Sequence, residues 1–422
     1  MSRRAGGGTR WVRGMAPHLR IALLLLVAAA AFRLPGLSYP PEEYFDEVYH
    51  AKTAKQYLER QPPIEWVHPP TAKLLIAVGV WAFGYQPWAW RLAPAVAGTL
   101  LAPVFFLFAR RVLATERAAL LASVLLLADG VYLVQSRIAM TNIFAVLFQV
   151  AAASAVVRAA LAERLTLRAM GLAGLFLGLA LSTRWTSLWA WGFLGLVCLA
   201  VRGRRLFTPR EMGLAALAFL ALPAAIYVAS YVPWMLQDKD HTLRELVVLQ
   251  RSIWRYHATL DAPHPYFSPW WTWPWLYRPT WYFFRYEASW TRGILALGNP
   301  ALWWAAVPAV LWALVTGIRE RDPRRIFSGA GFCLMYLPWG ISPRTLNYSH
   351  YLFEAIPYAC LALGMLLDRW WKKGLAKLYV VLVLAVFVLF LPFLTAIPVP
   401  TTWWNARLLG GPGVWIWFRS WI

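Results

Sequence analysis

Eleven long apolar blocks, separated by short arginine-rich segments, dominate this sequence. They run approximately over residues 21–32, 92–109, 118–135, 138–157, 169–185, 186–201, 212–233, 296–317, 326–341, 348–367 and 377–397. A bilayer span needs about 20 mostly apolar residues. Blocks of this length and number predict an all-α polytopic membrane protein with about eleven transmembrane helices. Of the 422 residues, 60% are apolar and 14% charged, whereas soluble domains carry about a quarter charged residues. A soluble enzyme, a disordered chain and a fibrous chain are therefore excluded.

The chain has 41 Lys and Arg against 19 Asp and Glu, a net charge of +22. In a soluble chain this excess would suggest nucleic acid; in a membrane chain its distribution matters more. With the N-terminus inside, the cytoplasmic segments hold Arg3, Arg4, Arg10, Arg13 and Arg20, then Arg110/Arg111/Arg117 and Arg158/Arg164/Arg168. After these come Arg202/Arg204/Arg205/Arg210, Arg319/Arg321/Arg324/Arg325 and Arg369/Lys372/Lys373/Lys377. Every such loop is short and basic, the condition under which the positive-inside rule is reliable. The expectation is a cytoplasmic-membrane protein, N-terminus inside and C-terminus outside, with no nucleic-acid partner. The first block is short, and its Ala-rich end resembles that of a cleaved signal peptide, but either reading gives the same orientation. Only His18 falls inside; His50, His68, His241, His257, His264 and His350 fall outside. Chemistry is therefore expected on the extracytoplasmic face.

Within a single membrane domain, residues 1–422, two long stretches lie outside the spans, 36–91 and 234–295. Both are rich in Pro, Trp and Tyr, residues of turns and interfacial belts. Ala72–Phe83 is apolar but too short to span and reads as an interfacial helix. Cys198, Cys333 and Cys360 all lie inside apolar blocks and form no metal or disulfide spacing. Walker A, HExxH and CxxC motifs are all absent, so neither an ATP-driven pump nor a tightly bound catalytic metal is expected. No cofactor is expected, a divalent cation being the one alternative.

Several polar groups stand at the outer span ends. Asp46-Glu47, followed by the helical Ala51–Leu58, places two carboxylates at the membrane surface. One could take a proton from a hydroxyl; the same spacing is also that of a helix N-terminus. His68-Pro69-Pro70-Thr71-Ala72-Lys73 breaks the chain ahead of the interfacial helix, with Lys73 free to snorkel. Asp129 and Arg137 join two blocks at membrane depth, where ionisable residues mark function by default. They fit either a local ion pair closing the hairpin or a phosphate grip by Arg137. Arg184 in Ser182-Thr183-Arg184-Trp185 invites the same argument, as do Arg344, Tyr348, His350 and Tyr351 in the tract 338–351.

These motifs, in this order, resemble the protein O-mannosyltransferases. The resemblance rests on Phe45-Asp46-Glu47, His68-Pro69-Pro70…Lys73 and Gln135-Ser136-Arg137-Ile138-Ala139-Met140. It extends through Leu249-Gln250-Arg251…His257…His264-Pro265-Tyr266…Arg278-Pro279 and Pro338-Trp339…Arg344…His350-Tyr351, from about residue 33 to the C-terminus. It implies a GT-C-type membrane glycosyltransferase, like a bacterial member of the family. Such an enzyme moves mannose, with inversion, from a polyprenyl phosphate to Ser or Thr of a secreted or membrane protein. Its partners would be that lipid-linked donor, the protein acceptor, membrane lipids and a secretion translocon. Carried over, Asp46 matches the catalytic base, Glu47 its acidic neighbour and Arg137 the arginine implicated in handling phosphate. The sequence departs from the pattern at Asn142, where the family has an aspartate, and at Asn347 and Ser349, where it has Phe and Tyr.

On the residues alone, another lipid-phosphate-sugar transferase fits the same features, such as an aminoarabinose or arabinose transferase acting on lipid or glycan. A non-enzymatic lipid or sugar transporter would need paired polar groups at mid-span, which are scarce here.

Overall fold

A computed structural model describes residues 15–408 and 411–422; Arg3, Arg4, Arg10 and Arg13 lie outside the described residues. Each of the eleven apolar blocks carries helix. Five helices are long and apolar enough to cross a membrane: Pro87–Val112, Asn142–Leu161, Pro209–Ser230, Pro300–Glu320 and Leu375–Thr395. The other blocks are cut short at polar residues and prolines. Helix Glu116–Leu127 stops before Asp129 and resumes as Gly130–Gln135, and Leu167–Leu181 stops at Ser182-Thr183-Arg184. Helix Pro323–Tyr336 tightens into the 3-10 turn Leu337–Ile341, and Ser349–Glu354 is 3-10 before helix Ile356–Trp370 begins. Irregular backbone at membrane depth is tolerated only where protein or a wet cavity surrounds it. Residues 129–142 and 347–354 are buried throughout.

Helix Asn142–Leu161 is central, packed against Pro87–Val112, Leu167–Leu181 and Ser187–Arg202. Its apolar residues point in every direction, as a helix enclosed on all sides requires. Helix Pro209–Ser230 is peripheral, with almost all of its apolar surface outward. Gly98 marks one close approach: a Cβ there would lie 2.1 Å from Ser136 Oγ. Its absence lets the segment carrying Ser136 and Arg137 settle onto helix Pro87–Val112.

The stretch 36–91 folds as helix Glu47–Leu58 and the short apolar helix Thr71–Phe83. The latter is pinned to the end of helix Leu167–Leu181, where the Thr71 amide donates to the Ser182 carbonyl at 3.1 Å. The stretch 234–295 is more ordered than a Trp-rich surface loop. Helix Leu243–Thr259 is followed by the 3-10 turn Trp270–Trp275 and the antiparallel strands Thr280–Tyr286 and Trp290–Ala296. Val399–Pro400 adds a third strand, and Arg407–Leu408 pairs with Gly411–Pro412 in a second small sheet. The all-α expectation is corrected by these strands. The aromatic run Thr-Trp-Tyr-Phe-Phe suits a pleated, half-buried surface. A bulge between Trp281 and Phe283 leaves Thr280, Trp281 and Tyr282 all buried.

Candidate active site

Phe45 adopts a left-handed backbone, φ 50°, which is costly for a bulky residue. Its ring is held by stacking on Tyr282, with centroids 4.1 Å apart. The next residue, Asp46, is the N-cap of helix Glu47–Leu58, yet its carboxylate makes no capping hydrogen bond. Instead the half-buried Asp46 lines a cavity of about 640 Å³ together with Glu65, His68, Asn142, Arg184, Arg344 and Tyr351. Its pKa is pushed up to about 6, chiefly by burial and then by the Glu65 charge, with Arg344 and Arg184 pulling the other way. A carboxylate in that range is well matched to general-base work near neutral pH.

Glu47 faces away from the cavity. Arg91 grips it with two parallel bonds, Nε to Oε1 at 2.8 Å and Nη2 to Oε2 at 2.7 Å. The Ala139 amide donates to it at 3.1 Å, and the Tyr44 amide at 3.4 Å. Arg91 also donates to the carbonyls of Leu37, Pro40 and Glu42. Both Glu47 oxygens are thus taken up by partners, and the residue ties the loop carrying Asp46 to helix Pro87–Val112.

The two cavity arginines are oriented by separate partners. Arg184 Nε lies 3.4 Å from Glu354 Oε1, and Glu354 in turn accepts from Gln149 at 2.9 Å and Thr186 at 2.7 Å. Arg344 Nε donates to the Leu346 carbonyl at 2.8 Å. His257 Nε2 lies 2.9 Å from the Val67 carbonyl and Nδ1 lies 2.9 Å from Arg344 Nη1. A carbonyl can only accept, so Nε2 carries the proton and neutral Nδ1 accepts from the guanidinium. Burial lowers the His257 pKa, consistent with that neutral form. Both guanidinium groups lie near the ring of Tyr351, at 4.7 and 6.0 Å. Among the described residues, neither Arg184 Nη nor Arg344 Nη2 is held by a protein acceptor, so these donors remain for an anion.

Glu65, which carried no signal in the sequence, organises the opposite wall. It forms a close ion pair with the fully buried Lys73 and accepts from His68 Nδ1 at 2.7 Å. Lys73 also donates to the carbonyls of Glu65 and His68, so it fixes the turn before helix Thr71–Phe83 rather than snorkelling. The Lys73 charge, with the His68 hydrogen bond, holds the Glu65 carboxyl well below its usual range against the cost of burial. Burial pushes His68 down to about 3 and His50 down to about 4.

The remaining sequence candidates divide. His264 lines the cavity, and His350 packs behind it, its ring 5.5 Å from Tyr282 and 4.8 Å from Tyr351. Asp129 and Arg137 do not pair. Asp129 Oδ1 accepts from Trp303 Nε1 at 2.9 Å and from the Asn299 amide at 3.2 Å, and it is not among the residues that line the cavity. Arg137 Nη1 donates to the carbonyls of Phe32, Arg33 and Pro35 at 3.1, 3.0 and 2.7 Å. It closes the end of the first helix, Pro17–Arg33, and is not among the cavity residues. Asn142, where the family pattern has a carboxylate, lines the cavity with both side-chain polar atoms unpartnered.

A second groove, of about 290 Å³, adjoins the cavity through His68, Arg184 and Arg344, which line both. Trp185, Trp189, Trp254 and Trp339 wall it, and the outward-facing Leu188, Trp254 and Ile341 stand at its rim. A carboxylate, two guanidinium groups and an apolar groove thus meet at one point. Among the described residues, no three His, Cys, Asp or Glu side chains gather as metal ligands. Glu65, Glu354 and Arg91 escaped sequence reasoning because each acts through a partner remote in the chain or on a loop of unpredictable path.

Residues 23–90 and 86–236 match the family described as dolichyl-phosphate-mannose-protein mannosyltransferase. Residues 242–410 match the C-terminal four-transmembrane region of protein O-mannosyltransferase. A polyprenol-phosphate-mannose–protein mannosyltransferase of Mycolicibacterium smegmatis is 30% identical, over 94% of this chain and 92% of the relative. That of Corynebacterium glutamicum is 28% identical, over 84% and 81%. Among solved structures, the Saccharomyces cerevisiae protein O-mannosyltransferase Pmt1–Pmt2 complex bound to the sugar donor superposes with a TM-score of 0.78. The match covers 91% of each chain at 14% identity. ArnT from Cupriavidus metallidurans bound to undecaprenyl phosphate gives 0.55 at 18% identity, over 91% of this chain and 71% of that one. At these identities the structural likeness speaks for the GT-C fold alone.

Proposed function

The chain belongs to the dolichyl-phosphate-mannose-protein mannosyltransferase family, and from that premise we propose how its own residues carry the transfer. The acceptor is a Ser or Thr hydroxyl of a protein, and attack inverts the anomeric centre. The sugar occupies the cavity, the phosphate lies at His68, Arg184 and Arg344, and the polyprenyl tail runs along the Trp-walled groove. Asp46 takes the proton as the hydroxyl oxygen bonds to the anomeric carbon. The bond from that carbon to the phosphate oxygen breaks, and the electron pair leaves with the phosphate. Arg184 and Arg344, already oriented by Glu354 and His257, stabilise the departing charge without reorganising. The phosphate role expected of Arg137 passes to these two, because Arg137 is committed to three carbonyls.

The observation that carries this reading is the meeting of Asp46, Arg184 and Arg344 on one cavity that continues into an apolar groove. The basic loops support a cytoplasmic-membrane topology of eleven crossings, with Asp46 on the extracytoplasmic side.

The test uses purified full-length protein, polyprenyl-phosphate mannose and a Ser/Thr peptide, with glycopeptide scored by mass and its anomer by NMR. Product in the wild type and none in Asp46→Asn, with unchanged folding, is the expected result. Full activity in Asp46→Asn removes the base assignment. Sugar found only on an envelope lipid removes the protein acceptor.

A further inference from the structure

A second polar cavity, of about 400 Å³, lies between helices Pro87–Val112, Asn142–Leu161 and Leu167–Leu181. It is at the other end of the bundle from Asp46. Asn142 opens the central helix at the active cavity, and Arg158 follows sixteen residues later, about 24 Å along the axis at 1.5 Å per residue. Three arginines, Arg111, Arg158 and Arg168, converge on this groove, and no acidic residue lines it. Arg111 is aimed by a hydrogen bond to Ser154 Oγ, one helical turn before Arg158. Arg168 stands in the first turn of its helix, which holds no acidic residue and where the dipole disfavours a cation.

Four other arginines at this end pair with carboxylates. Arg110 pairs with Glu116, Arg117 with Asp368, Arg202 with Glu211 and Arg325 with Glu320 and Asp322. Among the described residues, no carboxylate lies within 4.0 Å of Arg111, Arg158 or Arg168. The remaining wall is apolar, with Leu107 and Phe176 beside the guanidinium groups. Positive-inside charge alone would scatter along loops; three exposed arginines that share one greasy inter-helical groove, with no carboxylate paired to them among the described residues, suit an amphipathic anion.

We propose that this groove binds the phosphate headgroup of an anionic phospholipid of the inner leaflet, with an acyl chain lying on Leu107 and Phe176. Basic pockets between transmembrane helices on the cytoplasmic side are suited to such headgroups. The site is separate from the transfer chemistry and does not depend on the mechanism proposed above.

The experiment is native mass spectrometry of purified, delipidated full-length protein titrated with phosphatidylglycerol or with phosphatidylcholine of the same chains. Wild type should retain phosphatidylglycerol in preference to phosphatidylcholine. Each of Arg111→Gln, Arg158→Gln and Arg168→Gln should weaken the phosphatidylglycerol binding about fivefold, leaving Arg164→Gln, outside the groove, like wild type. The single variants serve where the triple variant fails to fold. Equal binding of the two lipids, or no loss in any single variant, overturns the proposal. Displacement of the lipid by millimolar inorganic phosphate would also overturn it, showing a free-phosphate site rather than a lipid one.

Discussion

Transfer should slow about tenfold between pH 7 and pH 5, and Asp46 should be the reason. With its pKa at about 6, roughly nine-tenths of Asp46 is ionised at pH 7 and about one-tenth at pH 5, and only the carboxylate can accept the proton. An aspartate at the ordinary 3.8 would stay almost fully ionised over this range, and the rate would be flat. His68, His50 and Glu65, also on the cavity, do not mimic the effect. His68 at about 3 and His50 at about 4 are already neutral above pH 5, Glu65 is held ionised, and the donor's sugar-linked phosphate is a diester that keeps its charge. The assay is kcat/KM for peptide mannosylation at saturating donor across pH 5–8, with slope one expected below about pH 6. Stability should move oppositely. A raised carboxyl pKa favours the protonated folded state, so this group costs stability above about pH 6, and the cost fades as pH falls towards 3.8. Asp46→Asn should therefore stabilise the protein at pH 7, by no more than about 3 kcal/mol at 1.4 kcal/mol per pH unit, while abolishing turnover. A flat profile down to pH 5 would refute both the shifted pKa and the base assignment.

Glu47→Gln leaves Arg91 buried without its counter-charge and should cost about 3–5 kcal/mol, read as a large fall in detergent melting temperature, which Asp46→Asn should not show. Arg184→Ala and Arg344→Ala should raise the donor KM or lower kcat by at least tenfold with acceptor KM little changed. Arg137→Ala should instead lower the melting temperature; a donor-specific defect in that variant would return the phosphate role to Arg137. Asn142→Asp places a new charge on the Asp46 cavity and should shift the acidic limb of the pH profile to higher pH, since a like charge disfavours ionisation; an unmoved limb would show that the two side chains do not communicate.

Much of this architecture is written in hydropathy, because apolar length and basic punctuation are local properties. Every apolar block found its helix, and the Phe45-Asp46-Glu47 motif does deliver one carboxylate to the cavity. What the sequence could not assign was which polar side chain works and which one braces. Arg137 and Arg184 look alike in one dimension, each at the end of an apolar block. Three carbonyls of the first helix's end claim Arg137, while Glu354, 170 positions away in sequence, turns Arg184 towards the cavity. Spacing offers Asp129 only its neighbours, Arg137 among them, whereas its partner in the fold, Trp303, comes from a helix distant in sequence. The strands at 280–296 are hard to read in the Trp-rich stretch 234–295, because the aromatics that favour strands are also those of interfacial belts.

Among the described residues, His68, Arg184 and Arg344 alone line both the Asp46 cavity and the Trp-walled groove, which makes them a shared threshold between two separate approaches. On the transfer proposed above, the lipid comes along the groove and the polypeptide into the cavity, so spent polyprenyl phosphate would be exchanged sideways without the polypeptide leaving. The expected outcome on a serine- and threonine-rich acceptor is several sugars per encounter, read from the mass distribution of the product early in the reaction.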